Sequence, residues 1–136
     1  LRVLASPGYL AAYGIPQQVQ ELAAHSLLGF TQPESLNHWP LRHALGDRFA
    51  VEPAIKASSG ETLRRLALDG QGIACLSDFM TLVDRREGRL VEVLADYDNG
   101  HQQPIHAVYY RNTALAARIT CFLDHVQDWM SHAANR

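Results

Sequence analysis

Residues 58–76 constrain the fold more than any other stretch of this sequence. Ser58 with Glu61 three positions later has the capping-box pattern that opens a helix, and Ser59 is an alternative cap. Leu63, Leu66 and Ala67 then recur at helical spacing, and Gly70-Gln71-Gly72 ends the helix and supplies a turn. Ile73-Ala74-Cys75-Leu76 follows without a polar residue. A short unbroken apolar run after a helix and a glycine turn reads as a strand buried on both faces, as central strands of parallel sheets are.

The flanks extend this alternation. Residues 49–56 read as a strand in which Pro53 marks an edge or a bulge. Ser77 or Asp78 opens a further helix carrying Phe79, Met80, Leu82 and Val83, and residues 90–94 and 105–110 read as strands. Nearer the start, residues 1–5 form an apolar strand. Ser6 caps and Pro7 begins a short helix that stops at Gly14. Residues 18–24 make a second short helix anchored by Leu22, residues 26–30 a strand, and polar residues 31–37, with Pro33, a loop; residues 39–46 fit no single pattern. Residues 113–132 are a helix, with Leu115, Ile119, Phe122, Val126, Trp129 and Met130 at helical spacing. Strands alternating with helices define an α/β sheet with right-handed crossovers. Ligands of such sheets lie beyond strand carboxyl ends, at helix N-termini. Two places qualify here: Ser6, and residues 58–61.

Composition narrows the function. At 136 residues the chain has the size of one domain. A net charge of −2 argues against a surface that grips nucleic acid by itself. No apolar run approaches the roughly 18 residues of a membrane span. The chain starts at Leu1 without a signal pattern and reads as a segment of a longer polypeptide. Cys75 and Cys121 both sit among apolar neighbours and read as buried, reduced thiols, in keeping with a cytoplasmic protein.

The two helix starts offer free backbone N–H groups, hydroxyls and a positive dipole end, which suit an anionic or hydrogen-bonding small molecule. Capping alone is the other role open to these serines. Glu61 opposes a strongly anionic ligand unless it closes the capping box. The histidine pairs His38/His43, His101/His106 and His125/His132 lack the Cys or Glu that would complete a zinc set. There is no glycine-rich phosphate loop and no nucleophile elbow. Asp96 and Asp98 read as a solvated pair, and Arg85, Arg86 and Arg89 as a charge match to a helix C-terminus. No catalytic residue, metal or cofactor is expected, and no enzyme activity.

An ordered series of segments resembles the effector-binding domain of LysR-type transcriptional regulators. It runs through Leu4-Ala5-Ser6-Pro7-Gly8-Tyr9-Leu10, Gly14-Ile15-Pro16, Glu21-Leu22-Ala23-Ala24-His25, Leu28-Gly29-Phe30 and Trp39. It continues through residues 59–74, then Gly88-Arg89-Leu90-Val91-Glu92-Val93-Leu94 and Pro104-Ile105-His106-Ala107-Val108-Tyr109-Tyr110. The order and spacing span nearly the whole chain. Two features depart from the family: Ser77-Asp78 stands where many relatives have Pro-Asp, and the loops at 31–46 and 99–103 are particular to this chain.

The resemblance implies a two-lobed α/β domain of the periplasmic-binding-protein type. Residues 14–103 would form the second lobe, with residues 1–13 and 104–136 a remnant of the first. An effector, of unknown identity, would bind between lobes. Its wall would include Ser6, Tyr9, Phe30, Thr31, Ser58, Ser59, Gly60, Glu61 and Phe79. The helix at 60–70 matches one that relatives use for dimer contacts, here through Leu63, Arg64, Leu66 and Ala67, with a purely core role as the alternative. The implied function is ligand sensing and dimerisation in a cytoplasmic regulator, a dimer or tetramer without membrane attachment. DNA would be read only by a winged helix-turn-helix absent from this chain. A fragment of a transport-type solute-binding protein is the runner-up, and a small α/β enzyme the third reading.

Overall fold

The regular elements are, in chain order, β1 (Arg2–Ala5), α1 (Pro7–Tyr13), β2 (Leu27–Phe30), β3 (His38–Trp39), β4 (Phe49–Ala50), β5 (Ile55–Ala57), α2 (Gly60–Leu68), β6 (Ile73–Leu76), α3 (Asp78–Arg86), β7 (Val91–Glu92) and α4 (Ala117–Ala134). Short 3-10 segments lie at Val19–Ala24, Glu34–Asn37 and Ala95–Tyr97. They belong to a computed structural model that describes residues 1–109 and 117–134. The chain forms two compact units, Leu1–Gln103 and Pro104–Arg136.

The first unit is built on a five-stranded sheet in the order β5-β2-β6-β1-β7, with β3 and β4 pairing as a separate ribbon. β2 runs parallel to β5 and β6, whereas β1 runs antiparallel to both β6 and β7. All four residues of β6 are buried, as their unbroken apolar run requires. Alternation along the strands divides the interior in two. Val3, Ala5, Leu27, Ile73 and Cys75 pack with Tyr9, Leu10, Val19, Leu22, Trp39 and Leu41. Leu4, Leu28, Ala74 and Leu76 pack with Leu63 and Ala67 of α2 on the other side.

Local signals explain the helix ends. Ser6 caps α1, its Oγ accepting from the Tyr9 amide at 3.2 Å, with Pro7 at the first position. α2 stops in a Schellman motif: Gly70 takes φ +73°, its N–H reaches Ala67 O at 3.1 Å, and the Gln71 N–H reaches Leu66 O at 3.0 Å.

Several expectations are corrected. The capping box does not form: Ser59 is the N-cap by position and makes no side-chain cap bond. Glu61 instead bonds Arg64 at 2.9 Å and Arg65 at 3.1 Å, one turn ahead of it. The strand expected over 49–56 is two strands in different sheets, with Pro53 between them, because proline supplies no ladder N–H. Residues 105–109 form no strand; Ile105 and Val108 are 72% and 94% exposed, with no neighbouring ladder among the described residues, and Tyr110 lies outside these. Residues 1–13 fall within the Leu1–Gln103 unit and not with residues 104–136, because β1 is hydrogen-bonded inside the sheet on both of its edges. α3 buries Thr81 and Asp84, while Phe79, Leu82 and Val83, expected to give the helix its apolar positions, face outward.

In the second unit α4 is the regular element among the described residues, with Phe122, Trp129 and Met130 exposed. Its expected first turn at 113–116, with Leu115, lies outside the described residues.

The two thiols also differ from each other. Cys75 is buried, and desolvation pushes its thiol up to about 12, so it is inert near neutrality. Cys121 is exposed, contrary to the expectation from its apolar neighbours. A thiol-reactive chromophore at pH 8 is therefore expected to titrate one cysteine in the native chain and the second only after denaturant is added. Prompt reaction of both in the native state would contradict this burial.

Candidate functional site

The parallel strands deliver their carboxyl ends to one edge of the sheet. Phe30 ends β2 and Thr31 follows it, residues 58–61 follow β5, and Ser77 to Phe79 follow β6. The Thr31 amide donates to Ala57 O at 3.0 Å, joining the first two of these turns. A Cβ built on Gly60 would stand 3.2 Å from Met80 Cε and 3.7 Å from Phe30 Cζ, so Phe30, Gly60 and α3 pack closely here. Ser58 and Ser59 are exposed, and Phe79 is 69% exposed.

Ser6 and Tyr9 are elsewhere. β1 pairs Arg2 with Leu76 and Leu4 with Ala74, so its carboxyl end lies at the amino end of β6. Ser6 stands beside the α2 C-terminus, with its Oγ 3.5 Å from a Cβ built on Gly70. The expected nine-residue wall is thus divided between opposite edges of the sheet. The antiparallel direction of β1 is the cause.

Two concavities accompany these edges. One, of about 760 Å³, lies over β2 and β5 and is lined by Thr31, Gln32, Glu34, His38, Glu52 and Lys56, among others. Its floor is fixed by Asn37, which is 5% exposed. The Asn37 side chain accepts from the Phe30 amide at 2.8 Å and donates to Phe30 O at 2.9 Å, folding the loop back on β2. Gly29 makes this possible, since a Cβ there would lie 2.5 Å from Asn37 Oδ1 and 2.2 Å from Pro53 Cγ. Of the wall expected from sequence, only Thr31 lines this cavity. Gln32, Glu34, His38, Glu52 and Lys56 went unrecognised, although Lys56 is the sole lysine and occupies the alternate position in a strand between two core residues.

The other concavity, of about 880 Å³ and wide open, is lined by Ser6, Tyr9, Tyr13, Arg64, Arg65 and Arg89 with Asp84. Its polar groups are mostly committed to each other. Asp84 is fully buried between Arg64 (2.6 and 2.9 Å) and Arg89 (2.6 and 3.0 Å). Burial alone would raise the Asp84 pKa, but the bonds and charges of Arg64 and Arg89 hold it below the usual carboxylate value. Tyr9 is 3% exposed, and its oxygen accepts the Ser26 amide at 2.9 Å. Its hydroxyl hydrogen is then free to donate to His25 Nδ1, 3.1 Å away, in the tautomer that carries the ring hydrogen on Nε2. Desolvation leads in raising the Tyr9 phenol pKa, with the Ser26 bond opposing. Tyr9→Phe is expected to cost about 1–2 kcal/mol of stability by stranding the Ser26 amide. Urea denaturation checks this, and an unchanged midpoint would show that water replaces the hydroxyl.

Neither concavity assembles a nucleophile with a base. Among the described residues there is no group of three metal-ligating side chains, and no helix is long and apolar enough to cross a membrane.

Of the two expected roles for α2, the core role holds for Leu63 and Ala67, which are 1% and 0% exposed inside their own sheet–helix interior. Arg64 is tied to Asp84. Of the four residues expected at the contact, Leu66 is partly buried and keeps open side-chain surface, beside the exposed Glu61, Thr62 and Arg65 of the same helix.

A mixed α/β sheet with its helices on both faces is the architecture of LysR regulatory domains, which have the periplasmic-binding-protein-like fold. The chain belongs to the LysR substrate binding domain family, whose profile matches residues 1–131. It is 50% identical over 123 residues to the HTH-type transcriptional regulator CrgA of Neisseria meningitidis serogroup C (strain 8013), covering 90% of this chain and 41% of that protein. The HTH-type transcriptional activator TtdR of Escherichia coli (strain K12) is 30% identical over 128 residues, 92% of this chain and 40% of its own length. The solved CrgA regulatory domain superposes with a TM-score of 0.86 at 48% identity, covering 91% of this chain and 61% of that one. The full-length Vibrio cholerae virulence activator AphB superposes with a TM-score of 0.61 at 30% identity, over 70% of this chain and 33% of that one. The chain therefore spans about two-fifths of the length of these curated relatives.

Proposed function

We propose that this chain is the ligand-sensing region of a LysR-type transcriptional regulator and that its effector occupies the cavity over β2 and β5. The observation that carries the reading is this cavity beside the β2–β5 edge of the sheet, with Thr31 at the carboxyl end of β2, in a chain of that family. Thr31 lines it, and Phe30 with residues 58–61 border the same sheet edge. Leu1–Gln103 would correspond to the second lobe, and residues 104–136 would derive from the first. Binding would bias lobe closure or subunit packing and so reorient DNA-binding domains carried elsewhere in the polypeptide.

The partners follow from this reading: a small-molecule effector, a second subunit and, through another domain, DNA in the cytoplasm. The subunit contact would use the outer face of α2 at Arg65 and Leu66. A non-catalytic role accords with relatives that are named transcriptional regulators. The solute-transport reading has no such relative among those compared.

The test is thermal unfolding of the 136-residue chain against a panel of small acids, amino acids, amines, aromatics and lactones at millimolar concentration. A true effector raises the midpoint in a saturable way, and Thr31→Val reduces the shift. No shift with any compound counts against the reading.

A further inference from the structure

The cavity over β2 and β5 carries charge of both signs that the protein leaves unused. Ile55 and Ala57 pack into the core shared with α2, so strand alternation turns Lys56 to the opposite face, where it lines the cavity. The basic residues clustered elsewhere on this unit are engaged: Arg2 with Asp78, Glu92 and Asp98, Arg64 and Arg89 with Asp84, Arg65 with Glu61. Lys56, Glu34 and Glu52 share one cavity, yet none of them forms an ion pair among the described residues. The Thr31 hydroxyl, the Gln32 amide and the His38 ring line the same space and make no side-chain hydrogen bond among the described residues. Opposite charges around one concavity that do not meet leave room for a molecule that meets both. Two carboxylates stand against one ammonium in this wall, which disfavours a dianion.

Resting on the effector-binding reading above, we propose that the ligand is a small amino-carboxylate. Lys56 holds its carboxylate and Glu34 and Glu52 hold its ammonium group or groups, with Thr31 and Gln32 supplying neutral hydrogen bonds. Lys56 is the residue that sets the demand for a carboxylate. The Asn37 clamp on Phe30 keeps the wall in place before the ligand arrives, so little ordering is left for binding to impose.

The test is isothermal titration of the 136-residue chain with three probes at fixed ionic strength: L-lysine, cadaverine (the same diamine without its carboxylate) and succinate. L-lysine is expected to bind at least about tenfold more tightly than either of the others. Lys56→Met should weaken L-lysine by about tenfold and bind cadaverine at least as tightly as wild type, because a like charge leaves the wall, while Lys56→Arg should recover most of the L-lysine loss. Succinate binding as tightly as L-lysine, an unaltered L-lysine affinity in Lys56→Met, or no binding of any probe overturns the proposal. A compound from the wider panel that stabilises the chain equally in wild type and Lys56→Met overturns it too, and leaves the effector-binding reading intact. If nothing in the panel stabilises the chain, both fall.

Discussion

Asp84→Asn is expected to destabilise the chain by about 3 kcal/mol, because it removes the buried carboxylate that Arg64 and Arg89 share and leaves them only their exposed acidic partners, Glu61 and Glu87. Asp84 has no exposed surface, and its carboxylate takes two bonds from Arg64 on α2 and two from Arg89 beyond α3. Its backbone carbonyl also receives the Arg89 and Leu90 amides, at 2.8 and 3.3 Å. One residue therefore ties α2, α3 and the entry to β7 together. Asparagine has the same shape but turns an NH₂ group toward a guanidinium. The expected loss corresponds to a fall in the thermal midpoint on the order of 10 °C. Arg65→Ala, which removes an exposed pair with Glu61, is expected to cost under ~1 kcal/mol.

The same carboxylate predicts a pH signature. Arg64 and Arg89 outweigh the desolvation and hold its pKa below that of the unfolded chain, near 3.9. The unfolded state then takes up the proton first as pH falls. The stabilisation is complete above the ordinary carboxylate range and is lost progressively as pH drops through the folded value. The stability gap between wild type and Asp84→Asn should accordingly narrow from pH 7 to pH 3 in urea titrations. A gap of equal size at both values would mean that shape, not charge, produces the effect.

What the sequence discloses here depends on how far apart the cooperating residues lie. The α1 cap, the Schellman end of α2 and the burial of β6 each arise from neighbours within a few positions, and all were legible. The Asp84 network was not. Arg89 is close to it in sequence, but Arg64 belongs to another helix, so the arginine cluster read as a simple match to a helix dipole. The capping box failed because the helix starts one residue later than the Ser58 pattern implies: with Ser59 as N-cap the third helical residue is Thr62, and Glu61 turns to Arg64 and Arg65. Strand direction was the costliest omission. An apolar run such as Leu1 to Ala5 carries no sign of running parallel or antiparallel, and that sign decides whether Ser6 and Tyr9 stand beside Thr31 or at the far edge of the sheet. Attention to helix starts also passed over Lys56 as a cavity-lining residue, although its strand position and solitary chemistry were both visible.

Gly29→Ala is expected to destabilise the chain by about 2–3 kcal/mol and to disable the cavity over β2. The sign is informative. Where the backbone permits it, Gly→Ala stabilises by about 0.4–1 kcal/mol through the unfolded state. Here the added methyl would stand 2.2 and 2.9 Å from Pro53 Cγ and Cβ, and 2.5 Å from Asn37 Oδ1. Pro53 is a stiff ring on the link from β4 to β5, so displacing it drags the sheet edge that holds Lys56. Displacing Asn37 instead breaks both of its bonds to Phe30 and strands an N–H and a C=O at the end of β2. Either route damages the cavity floor as well as the fold. Urea denaturation reads the stability, and amide hydrogen exchange at Phe30 tells the routes apart. Faster exchange there marks loss of the Asn37 clamp, while protection at Phe30 with faster exchange at Thr31, whose amide bonds Ala57 O, marks a shifted β5. A variant as stable as wild type, with both amides protected, would mean that Pro53 and Asn37 yield without cost and that the cavity floor is not held as described.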